Sequence, residues 1–77
     1  MNDNRRKRLG DLAQKIAELQ TELEEIRDEE QDAFDSQPES LQGAEKGQTM
    51  EEHIDTMEDA VNSLSEAQDV AKTLAAA

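Results

Sequence analysis

From Leu9 to Ile26 the large apolar residues recur at alternating steps of three and four: Leu9, Leu12, Ile16, Leu19, Leu23 and Ile26. This is a run of heptads with Leu9, Ile16 and Leu23 at position a and Leu12, Leu19 and Ile26 at position d. A helix gathers residues of this spacing onto one side, whereas a strand scatters them over both faces. Helix-favouring residues fill the intervals, and nothing breaks the run before Asp35. The seam fades at Glu30 and Ala33, so a first helix is expected over about residues 9–33. Arg5, Arg6, Lys7 and Arg8 sit badly at the positive end of a helix, and Gly10 weakens the first turn. Residues 1–8 are therefore expected to be a flexible basic end.

Residues 34–48 break the pattern with Asp35, Ser36, Pro38, Gly43 and Gly47. Ser36 and Glu39 have capping-box spacing, which predicts one helical turn over 37–42. Phe34 and Leu41 flank that turn and are expected to fold down over the end of the helix pair. A second helix is expected over about 49–74, opened by the capping-box pair Thr49 and Glu52, although Ala44 could begin it. Its apolar residues are Met50, Ile54, Met57, Val61 and Leu64, after which the seam shifts through Ala67, Val70 or Ala71, and Leu74. That shift predicts a phase slip near Gln68.

Two seams of similar length joined by about sixteen residues predict an all-α, two-helix antiparallel hairpin, coiled-coil-like, within one domain over 9–74. A lone hairpin of this size is marginal, so a homodimer completing a four-helix bundle is expected. A parallel coiled-coil dimer is the alternative. The expected oligomer seam is Leu12, Ile16, Leu19, Leu23, Ile26, Ile54, Met57, Val61 and Leu64.

The inventory of side chains excludes most chemistry. The chain has no Cys or Tyr, and His53 is its one histidine. No serine lies in a nucleophile-elbow context, and the glycines at 10, 43 and 47 form no phosphate cradle. A bundle di-iron site needs Glu-x-x-His, but Met50 stands three residues before His53. His53 reads as a helix-flank residue on the rim of the seam. No catalytic residue, metal site or cofactor is expected.

Charge is the other strong signal. The formal charge is −12, with the Arg5–Arg8 segment set against a strongly acidic remainder. Such a body is repelled by nucleic acid and anionic membranes, and Phe34, the one aromatic residue, gives no platform for stacking bases. No apolar stretch is long enough for a membrane span. A cytoplasmic protein with a protein partner is expected, without direct nucleic-acid or membrane binding. The acids are densest between Glu18 and Asp35, where they face Arg27 alone. Their spacing along a helix, about one per 3 Å, approaches the charge density of a DNA strand. The acidic face and bend, Glu24, Glu25, Asp28, Glu29, Asp32, Phe34, Asp35, Pro38 and Glu39, are the expected partner-binding residues. An ordinary solvated face is the competing reading.

The segments Asp28-Glu-Glu-Gln-Asp-Ala-Phe-Asp35, Pro38-Glu-Ser-Leu-Gln42, Glu45-Lys-Gly47, Met50-Glu-Glu-His-Ile-Asp55 and Met57-Glu-Asp-Ala60 together resemble a group of small uncharacterised bacteriophage and prophage proteins. The likeness covers about residues 24–67, and the aspartate–phenylalanine bend is its distinctive part. It implies a phage accessory protein in a bacterial host cytoplasm and supplies no activity. The expected function is that of a small acidic, non-enzymatic protein that binds and modulates or inhibits a partner. In its sharpest form it acts as a DNA mimic on a nucleic-acid-binding host protein. The alternative is a structural coiled-coil oligomerisation or assembly module.

Overall fold

Asn2 starts the first helix. In the computed structural model, which describes all 77 residues, its backbone is extended and its Oδ1 accepts a hydrogen bond from the Arg5 backbone N–H at 2.8 Å. This satisfies one of the amides that a helix start leaves unpaired. Asp3 then places a carboxylate in the first turn and pairs with Arg6 at 2.7 Å, which offsets the cations that follow. Helix α1 accordingly runs Asp3–Asp35. The segment 1–8, expected to be flexible, is helical from Asp3 onward; the cap at Asn2 and the carboxylate of Asp3 are the reason.

Ser36 closes this helix rather than opening the next. Its N–H and its Oγ both donate to the Asp32 carbonyl, at 3.0 and 2.8 Å. The single turn α2, Glu39–Gln42, is instead entered from Pro38, whose carbonyl accepts from the N–H groups of Leu41 and Gln42. Helix α3 spans Glu45–Ala76. It begins ahead of Thr49, whose Oγ1 donates back to the Glu45 carbonyl at 3.0 Å, so the expected Thr49–Glu52 capping box does not form. Gly47, in the first turn of α3, is buried against the end of α2. A Cβ there would lie 2.7 Å from the Leu41 carbonyl oxygen and closer still to that of Gln42.

Helices α1 and α3 pack along their lengths as an antiparallel hairpin. Gly10 stands beside Ala75, and Arg27 reaches Glu58 at 4.0 Å. The result is a rod of 58 × 14 × 12 Å with a radius of gyration of 17.3 Å. A compact chain of this length would have about 11.5 Å. No helix is long and apolar enough to cross a membrane.

The seam between the helices differs from the expected one. On α1 the covered and half-covered line that runs the length of the helix is Leu9, Ala13, Ile16, Gln20, Leu23, Arg27, Glu30 and Phe34, positions a and e, flanked on one side by half-covered Ala17, Glu24 and Gln31 at b. Ala13 is 3% exposed, while Leu12, Leu19 and Ile26 at d are 47%, 54% and 48% exposed. Ala13 lies nearly level with Ala71, which is also buried. Two methyl-sized side chains let the backbones approach closely, and α1 is rolled to bring Ala13 under α3. On α3 the inward positions Met50, Ile54, Met57, Val61, Leu64, Gln68, Ala71 and Ala75 keep an unbroken heptad. The phase slip expected near Gln68 is absent, because Gln68 itself occupies the seam and Val70 and Leu74 stay outside. Leu41 is exposed and does not fold over the helix ends; Phe34 alone is half-buried there.

Candidate protein-interaction surfaces

The roll of α1 leaves a line of apolar side chains uncovered. Leu12, Leu19 and Ile26 stand one heptad apart, about 10.5 Å along the axis. The helices run in opposite senses, so position d of α1 and position g of α3 turn to the same broad side of the rod. The levels set by Gly10 with Ala75 and by Arg27 with Glu58 put Leu74, Ala67 and Ala60 alongside Leu12, Leu19 and Ile26. All six are exposed. Val70 adds to the same flank at the open end of the hairpin. The opposite broad side carries Glu24, Gln31, Glu51, Glu58 and Lys72. One side of the rod is therefore apolar along Leu12, Leu19 and Ile26, and the other is mainly polar.

At the open end the apolar side continues past the last turn of α3 as a shallow groove on α1. Leu9 and Leu12 line it together with the cations Arg5, Arg8 and Lys15 and one acid, Asp11. At the bend end stands His53, exposed on the rim as its heptad position predicts.

The expected acidic site does not form one surface. Glu24 is turned toward α3, half-buried, and accepts from Gln20 Nε2 at 3.2 Å. Asp28 pairs with Arg27 at 3.1 Å, and Asp35 accepts from Gln31 at 3.0 Å. Phe34 lies partly beneath the bend, whereas Pro38 and Glu39 are exposed in it. Glu18, Glu25 and Asp32 fall on the back of α1, and Glu22 and Glu29 border them on the edge nearer Leu19 and Ile26. Steps of four, three, four and three carry these five exposed carboxylates in a straight ridge over about 21 Å. None of the five takes part in an ion pair. The acids are strung out rather than convergent, and no three of them could hold a metal ion.

Three residues that shape these surfaces escaped the reading of the sequence, Asn2, Ala13 and Gln42, while Gly47, read as part of the break between the helices, lies buried in the first turn of α3. Asn2 carries a legible signal, an amide-capping residue three before Arg5. The role of Gln42 is set only by the bend, where its Nε2 donates to the carbonyls of Phe34 and Gln37 at 3.3 and 3.1 Å. No family model, curated protein or solved structure matches the chain.

Proposed function

We propose that the chain is a non-enzymatic accessory protein that works as an assembly module, pairing with a second copy through the side of the rod that carries Leu12, Leu19 and Ile26. The observation that carries this reading is that these heptad residues remain about half exposed after the hairpin has closed. Of the large apolar residues, only Ile54 and Val61 are buried within one chain. The accessible surface is 5568 Å², against about 4,700 Å² for a compact chain of this mass. A 58 × 14 Å face offers roughly 800 Å², the amount each partner contributes to a standard stable interface. A second copy supplies the same apolar side, and the pair is a four-helix bundle. Light scattering on the eluting protein should give twice the chain mass, and Leu19→Gln should return it to one. A wild-type protein that stays monomeric at millimolar concentration would remove this reading.

The carboxylate ridge favours a second reading, in which the protein binds and inhibits a basic, nucleic-acid-handling host protein in the phage setting that the resemblance implies. Glu18, Glu22, Glu25, Glu29 and Asp32 form a rigid negative line without compensating cations, which supports a DNA-like field. A tagged protein and a variant neutralised at those five positions would be compared as baits in bacterial lysate. Basic proteins held at low salt, released near half-molar salt and missed by the variant would favour this reading. Capture that persists in high salt would count against it.

A further inference from the structure

Four positions along the outer edge of the apolar side of α1 change sign at its middle. Positions g of the heptad are Arg8, Lys15, Glu22 and Glu29, two cations before Leu19 and two acids after it. The same division runs through the whole rod. The half made of residues 19–66 holds sixteen of the twenty acids and two of the eight bases. The open half holds four acids and six bases. One end is thus −14 and the other +2, and the groove lined by Arg5, Arg8 and Lys15 lies at the positive end.

We propose that two copies pack antiparallel about a two-fold axis crossing α1 at Leu19, so that the cationic end of each rod lies along the acidic end of the other. This rests on the self-pairing reading above and specifies its geometry. An axis through Leu19 sets Leu19 against Leu19 of the second copy, and Leu12 against Ile26. The g positions then meet across the outer rim: Arg8 faces Glu29 of the second copy and Lys15 faces Glu22, each pair occurring twice. In antiparallel helix pairs the rim contacts are between like heptad positions, and opposite charges there select partner and orientation. The alternative two-fold, parallel to the rod, stacks both −14 ends on each other and leaves both basic grooves at the far end. The segment Arg5–Arg8 is in this arrangement a clasp for the acidic half of the partner copy.

The chain has no cysteine, so introduced cysteines report orientation directly. Under mild oxidation Leu19→Cys should cross-link to itself. Leu12→Cys alone should not, but mixed with Ile26→Cys it should give the heterologous product. Separately, Glu22→Lys with Glu29→Lys should weaken dimerisation by roughly tenfold or more, as four rim pairs become repulsive. Adding Arg8→Glu and Lys15→Glu to the same chain should restore it. Far-UV circular dichroism confirms that each variant is folded, and all the substituted positions are exposed. A dimer in which Leu12→Cys cross-links to itself, or in which the charge exchange gives no recovery, overturns the orientation and leaves self-pairing intact. A folded monomer overturns both.

Discussion

Gly47 is the residue whose identity is most tightly set by its surroundings. The first turn of α3 is pressed against the carbonyls that end α2, and a methyl group at this position meets backbone rather than a side chain that could move aside. Gly47→Ala should therefore lower stability by about 1–3 kcal/mol, the usual cost of overpacking, despite the better helix propensity of alanine. At Gly43 a Cβ meets nothing, so Gly43→Ala should be close to neutral, and chemical denaturation of the two variants side by side checks the contrast. Gln42 is the other constrained residue in the bend. Its amide donates to two carbonyls of the turn, that of Gln37 and that of Phe34, which also accepts from the Gln37 backbone N–H. Gln42→Glu puts a carboxylate oxygen against both. A loss of about 1–3 kcal/mol is expected at neutral pH, and a variant as stable as wild type would show that water serves these carbonyls equally well.

At the scale of the helices, substitution should separate the closed seam from the open one. Ile54 is buried between the helices, and Ile54→Ala should cost about 2–4 kcal/mol whatever the protein concentration. Leu19→Ala, on the exposed stripe, should leave the unfolding of dilute monomer nearly unchanged while reducing stability at concentrations where copies pair. Denaturant melts of both variants at two concentrations distinguish the two behaviours. The heptad period made both helices and their pairing legible, because spacing alone decides which residues share a side. It could not assign which of two adjacent sides meets α3. Leu12 and Ala13 both neighbour the a positions, and the larger side chain has the greater apolar area to bury. The choice of Ala13 comes from the close approach that Ala13 and Ala71 permit, which is a property of two helices together. Gln68 misleads for a related reason. A polar residue at a seam position suggests a phase slip, yet a long side chain near the open end tolerates half-burial, and the heptad passes through it unbroken. The acidic site was legible as charge density but not as a surface, since the roll of α1 carries Glu24 inward and leaves Glu18 and Glu22 in the ridge.

The whole molecule is a charged rod, and its stability should follow the ionic strength. A net charge of −12 on a body only 14 Å across brings α1 and α3 together against their own repulsion, most strongly in the half that carries −14. Against this stand few attractive contacts. Arg6 with Asp3, and Arg27 with Asp28 and Glu58, are the ion pairs of the chain, and each has at least one well-exposed partner, the kind worth little in water. Salt weakens both terms, but the repulsion involves many charges spaced beyond contact, which are screened once the Debye length falls to about 10 Å or less. The melting temperature of dilute monomer should accordingly rise between about 0.02 and 0.5 M sodium chloride, by several degrees if roughly 1 kcal/mol of repulsion is relieved. Sulfate would confuse the test by strengthening apolar burial as well, so chloride is the salt to use. A melting temperature that falls with salt would mean that the ion pairs outweigh the repulsion, and that the acidic half of the rod is held by contacts stronger than its exposed side chains make.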